Sequence, residues 1–391
     1  MQNKERRSKM LLCLIMALIF LSTFYLLLNY SNGNMSSDYA SHIRHALRGQ
    51  GYSLVRWIIT ASYSLFNSSV PFVFVMSLLT IGTAYSCFYY VKHICNLLEI
   101  KTNTLRLLAI SLSSLFICKI CIPDWSNLYY KDSISTQPWH NPTYTAMRFF
   151  SLIAISIYFD IQSNYLKKFD FAKGALFSLF LFLTNFSKPS FVIAFAPVML
   201  LVLIKDFVKT KTKSFKNAFV FGVCVLFACT ILIFQTTMLF PAEGDSNSSI
   251  IFSVGNAIDY FSGDLKFPLY LILNFAFPMY VIFLEIKNRN KLDSAEKGIL
   301  KQTLLMFGIS FLEMLFITET GPRANDGNLS WGSIFFAYLI FITCVPLLEK
   351  MRIKGCIGDR EYSLAYYTYA LHILFGVCYY ALLLMGYYYY F

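Results

Sequence analysis

The sequence predicts an all-α integral membrane protein with about eleven transmembrane helices, its N-terminus inside, and interfacial helices in its first outer loop. Three observations carry this. Of 391 residues, 57% are hydrophobic and only 14% are charged, where a soluble protein carries about 25% charged. The apolar residues are gathered into runs of about 20, the length a helix needs to cross a bilayer. The basic residues alternate from one side of these runs to the other, as the positive-inside rule requires.

The runs are 10–30, 70–91, 104–122, 145–163, 171–186, 189–204, 217–240, 267–286, 302–318, 332–348 and 363–388. The first follows Lys4, Arg6, Arg7 and Lys9; it is long and has no small-residue cleavage site after it, so it is read as a retained helix rather than a signal peptide. Runs 171–186 and 189–204 are short and meet at Ser187-Lys188-Pro189-Ser190. Proline cannot continue the helical ladder and pushes the residue before it out of helix. Lys167, Lys168 and Lys173 precede the pair, and Lys205, Lys209, Lys211, Lys213 and Lys216 follow it. Both flanks therefore belong inside, and the chain turns between two short helices.

With the N-terminus inside, inner segments hold 24 of the 33 Lys and Arg. This asymmetry accounts for the net charge of +12 without nucleic acid; the basic loops face anionic headgroups. Residues 1–9 form a cytoplasmic tail, and 31–69, 123–144, 241–266 and 319–332 form chemically varied outer loops in a single membrane domain over 1–391. The ten cysteines lie mostly in apolar runs, where they act as small hydrophobes. Cys118 and Cys121, one turn apart, lack the partners a metal or redox site needs. Asn34, Asn67, Asn247 and Asn328 fit a glycosylation sequon that the fold does not require.

The first outer loop is the most informative. Ser36 or Ser37 can cap a short helix that Gly49 ends. Asp38, His42 and His45 are spaced i, i+4, i+7 and share one face, with Arg44 and Arg48 alongside. Tyr52 to Phe66 then resembles a helix lying in the membrane interface. Three chemistries suit the Asp38 face: a general base for an acceptor hydroxyl, a divalent metal site on Asp38 and His42 with His45, or a solvated helix start favoured by the dipole.

Other outer segments add polar groups. Trp139, His140 and Asn141, between Pro138 and Pro142, form a ledge suited to a sugar ring, or an ordinary loop with Thr143 capping the next helix. Lys188 can neutralise a phosphate or snorkel to headgroups. Tight turns fix Arg323 and Asp326, and Arg323 offers a planar fork for phosphate. Glu313 inside its run needs a polar cavity or a partner such as Lys119. His372, inside the last run, is read as a helix–helix hydrogen bond.

The early Asp38 in a long loop of interfacial helices after the first span resembles the polyprenyl-phosphate-dependent glycosyltransferases of the GT-C superfamily. Asn185-Phe-Ser187-Lys188-Pro189-Ser190-Phe191, with Pro197 shortly after, is similar to a Lys-Pro turn of several bacterial members. The resemblance covers the span layout and three short segments. It implies a site on the outer face that moves a sugar from a polyprenyl-phosphate donor to an envelope glycan or lipid-linked acceptor. Asp38 would match the family's first-loop catalytic acid, with Lys188 and Arg323 near the donor phosphate. Tyr39 follows Asp38, so the paired acidic motif of some members is missing, and no soluble C-terminal domain is expected; a divalent cation requirement stays open. The chain's size and short loops suit an envelope biosynthesis locus, so the setting assumed is a bacterial plasma membrane.

Three rival classes remain. A polysaccharide polymerase or ligase would lean on Arg44, Arg48 and Arg323. A transporter or flippase would show inverted repeats and midplane charges; neither is clear in the sequence, where Glu313 lies inside a run and Lys119 near the end of one. A membrane O-acyltransferase would need a deep histidine, for which His372 is the candidate.

Overall fold

A computed structural model of the protein describes residues 2–120, 136–210, 215–239, 249–262, 267–321 and 327–387. The helices are α1 (Gln2–Ser31), α2 (Asp38–Leu47), α3 (Leu54–Phe66), α4 (Val70–Leu97), α5 (Thr104–Ser113), α6 (Pro142–Asn164), α7 (Phe171–Ser187), α8 (Ser190–Thr210), α9 (Phe215–Leu239), α10 (Val254–Ser262), α11 (Phe267–Asn274), α12 (Ala276–Lys287), α13 (Ser294–Phe316), α14 (Ser330–Ile353) and α15 (Asp359–Leu384). Among the described residues, α1, α4, α6, α8, α9, α13, α14 and α15 are long and apolar enough to cross a membrane. Such a chain is a multi-pass, all-α membrane protein.

Two expected spans take a different form. Run 104–122 is helical only to Phe116, through α5 and a 3-10 turn, and then extends along 117–120. Thr136 and Gln137 donate to the Ile117 carbonyl at 2.6 and 3.0 Å, and Ile120 N–H donates to Leu273 O. These distant partners satisfy the backbone that leaves the helix. Run 267–286 is broken at Phe275 into α11 and α12. Pro278 explains the break: its ring crowds the carbonyl four residues earlier, that of Asn274. α7 forms as expected but is only 17 residues long. A short antiparallel ribbon, β1 (Ile250–Phe252) with β2 (Ile317–Glu319), was not expected; its branched Ile250, Ile251, Ile317 and Thr318 suit paired strands.

α14 is the central post. Its span is buried throughout, and α4, α8, α12 and α13 pack around it. The peripheral helices present apolar side chains outward: Leu14, Leu18 and Leu21 on α1, and Phe219, Leu226 and Phe227 on α9. Such exposure suits lipid as the surrounding solvent. A second apolar cluster joins Leu26, Tyr30, Tyr39, Ile43, Val55, Ile59 and Phe72. It glues α2 and α3 onto the ends of α1 and α4.

The two ends of the helices differ. One end is laced with ion pairs: Arg106 grips Glu349, which also accepts from Tyr362 and Tyr366, and Lys354 bridges Asp293 and Glu296. The other end holds Asp38, His140 and Lys188. His372 makes the anticipated helix–helix bond, Nε2 accepting from Phe277 N–H of α12 at 3.4 Å, and its Nδ1 also donates to Cys118 O in the extended segment at 2.6 Å. Glu313 does not pair with Lys119; among the described residues neither of its oxygens has a hydrogen-bond partner.

α15 crosses the 3-10 turn at Gly376, where an added Cβ would stand 1.6 Å from Phe116 O. Gly376→Ala is therefore predicted to lower stability by about 1–3 kcal/mol. Gly298→Ala, with nothing within 4 Å, should be neutral or slightly stabilising. Thermal unfolding of both variants in one detergent checks the contrast.

Candidate functional site

The site starts from the end of α1. Ser37 accepts from Tyr39 N–H at 3.2 Å and caps α2, making Asp38 its first residue. Two contacts tie Asp38 to the segment before α6. Its N–H donates to His140 O at 3.1 Å, and its Oδ2 accepts from Asn141 Nδ2 at 2.6 Å. Asn141 is itself the cap of α6: its Oδ1 accepts from Tyr144 N–H at 2.9 Å and from the Thr143 hydroxyl at 2.7 Å. The cap expected at Thr143 thus lies at Asn141, and Thr143 supports it. Pro142, at the first helical position, needs no hydrogen-bond acceptor there.

Lys188 enters from the turn between α7 and α8. Pro189 holds it extended (φ −162°, ψ 122°), so its side chain leaves the helix axis. Its Nζ donates to Thr143 Oγ1 at 3.3 Å and lies 4.7 Å from the ring centre of Trp331, at the start of α14. The Trp331 ring in turn meets His140 at 5.2 Å and Tyr144 at 4.9 Å. Ser190 Oγ donates to Asn328 O at 3.3 Å, fastening the start of α8 to the loop before α14. The N-terminal turns of α6, α8 and α14 therefore gather around Lys188, and helix N-termini favour negative charge.

His140 Nε2 stands 4.0 Å from Asp38 Oδ2. Burial drives the pKa of His140 down to about 4, with Lys188 pushing the same way and Asp38 opposing. His42, one turn along α2 from Asp38, is also lowered to about 4, by burial first and then by Lys188 and His45 against Asp38. Both imidazoles are neutral at pH 7, each able to donate one hydrogen bond and accept another. A carboxylate, two neutral imidazoles, a buried ammonium and a hydroxyl thus converge from three segments: α2, the start of α6 and the turn between α7 and α8. Such a set can take a proton from a hydroxyl and hold an anion beside it.

The structure brings together Asp38, His42, His140, Asn141 and Lys188. His45 instead turns to Gln50, 3.0 Å away. Trp139 points into the core, bonded to Gln137 and packed on Tyr380 at 4.4 Å; it is a support and not a sugar platform. Arg323 and Asp326 lie outside the described residues. Among the described residues no three His, Cys, Asp or Glu side chains could hold one metal ion, so the divalent-cation option on Asp38 and His42 gains no third ligand.

Sequence reasoning missed Trp331 and Arg148. Trp331 carried a weak signal, an aromatic at a helix start after a turn-rich loop. Arg148 carried a strong one, a cation within an apolar run. It is fully buried, donates to Thr136 O at 2.8 Å and Ser114 O at 3.0 Å, and lies 3.6 Å from the Tyr338 ring centre. It anchors the segment leading to His140. The sequence matches no protein-family model, no curated protein and no solved structure at a significant level.

The two depressed histidines fix a sign. Between their unfolded pKa of about 6.5 and the folded value of about 4, the unfolded chain binds more protons, so stability falls as pH drops through that window. Melting temperature measured from pH 7 to pH 4 should decline less steeply in His42→Gln/His140→Gln than in the wild type.

Proposed function

We propose that this chain is a membrane glycosyltransferase of GT-C type. It takes a sugar from a polyprenyl-phosphate-linked donor and passes it to a hydroxyl of an envelope glycan or lipid-linked acceptor. The observation that carries the reading is the meeting of Asp38 and Lys188 through Asn141 and Thr143. A fixed carboxylate and a buried cation share one polar layer at an end of the helices, where a lipid-borne donor would present its phosphate.

The chemistry balances without a covalent intermediate. Asp38 takes the proton of the acceptor hydroxyl, whose oxygen attacks the anomeric carbon. The bond from that carbon to the phosphate oxygen breaks, and its electron pair leaves on the phosphate. Lys188 and the N-terminal turns of α6, α8 and α14 stabilise the added negative charge. Neutral His42 and His140 hydrogen-bond sugar hydroxyls without adding charge. In this reading α7, the α5 segment and the broken pair α11–α12 complete about eleven crossings, the N-terminus is inside, and Asp38 faces outside. The polymerase reading gains less, because Arg44 and Arg48 are exposed rather than gathered at Lys188.

Deleting the gene should remove one sugar or branch from the surface glycans, measured as monosaccharide composition. Wild type should restore it. Asp38→Asn, present in the membrane in equal amount, should restore less than about one hundredth of the initial rate, as expected for loss of a general base. Full restoration by Asp38→Asn would remove the general-base role.

A further inference from the structure

The exposed side of α2 and α3 is not used by the chemistry above, and its composition is unusual. Arg44, Leu47 and Arg48 share one exposed face of α2, at i, i+3 and i+4. Two guanidinium groups one turn apart repel each other, and among the described residues neither has an acidic partner. Arg56 adds a third at the start of α3, where it donates to Gly51 O at 2.7 Å and lies 5.5 Å from the ring centre of Trp57.

Beside these cations stand large apolar groups in the open. Trp57 is 51% exposed, Leu65 75% and Phe66 63%. The apolar edge runs on through Val70 and Phe74, exposed on the membrane-spanning α4. Arginines that alternate with Trp and Leu, on a surface continuous with a lipid-facing helix, suit the boundary between headgroups and acyl chains. Unpaired positive charge there calls for phosphate-bearing lipid.

We propose that Arg44, Arg48 and Arg56 form a binding surface for anionic phospholipid headgroups, with Trp57, Leu65 and Phe66 seated in the lipid below them. The surface holds α2 against the bilayer and so fixes the height of Asp38, its first residue. This inference needs the membrane setting alone and stands apart from the transferase chemistry.

The test uses full-length protein reconstituted in phosphatidylcholine vesicles that contain a small fraction of either brominated phosphatidylglycerol or brominated phosphatidylcholine. Bromine quenches nearby tryptophan, and the difference between wild type and Trp57→Phe isolates Trp57. The anionic lipid should quench Trp57 at a much lower mole fraction than the zwitterionic one. Arg44→Gln/Arg48→Gln should weaken that preference about 25-fold, at about fivefold per arginine, and Arg44→Lys/Arg48→Lys should retain most of it. Both arginines are exposed, so the variants should keep the wild-type melting temperature. Equal quenching by the two lipids overturns the proposal, as does no quenching by either. Loss of the effect on adding a soluble anionic polysaccharide, with no dependence on lipid charge, also overturns it, in favour of a glycan surface.

Discussion

Asn141 is the residue on which the arrangement depends. Its amide carbonyl closes the first turn of α6, and its amide nitrogen holds the Asp38 carboxylate. One side chain thus sets the start of a spanning helix and the position of a carboxylate about 100 residues away in sequence. The neighbouring Asp38 N–H to His140 O bond fixes the backbone of α2 against the same segment. With both contacts in place, Asp38 is held from two directions at the edge of the polar layer. Without them α2 would rest only on the apolar cluster of Tyr39, Ile43 and Ala46, which fixes a helix by area but not an oxygen by direction.

The electrostatics follow from that geometry. Lys188 is 8% exposed, and a buried ammonium is costly unless hydrogen-bonded and close to negative charge. Thr143 and the Trp331 ring supply part of the compensation. Asp38 supplies an opposite charge within range of the same two imidazoles, and burial keeps those neutral. The opposite end has a different character, with paired charges such as Arg106–Glu349 and Lys287–Glu361. Those pairs tie helices together, while at the Asp38 end the carboxylate of Asp38 and the ammonium of Lys188 act in opposite senses on the buried, neutral His42 and His140.

Much of this was legible in the sequence where local rules decide. Ser37 and Gly49 marked the ends of α2, and Asp38 and His42 at i, i+4 shared a face. Lys188-Pro189 between two basic flanks gave the turn that presents Lys188. What was not legible depended on distant partners. No local stop signal lies at Ile117; the helix ends there because Thr136, Gln137 and His372 take up the backbone that follows. Periodicity alone could not tell that Trp139 points inward while His140, its neighbour, points to Asp38. The break between α11 and α12 was written in Pro278, whose effect falls four residues upstream. Arg148 was also visible as a cation in an apolar run, but its acceptors, Thr136 O and Ser114 O, come from other segments.

The central claim is that Lys188 and Asp38 serve one reaction in different roles, and the most direct test separates binding from transfer. Purified protein in nanodiscs would be titrated with a short-chain polyprenyl-phosphate sugar, and transfer to a glycan acceptor followed in parallel. The account predicts that Lys188→Met weakens donor binding at least tenfold, while Asp38→Asn binds the donor normally and does not transfer. Wild-type affinity in Lys188→Met, or normal transfer by Asp38→Asn, would contradict it.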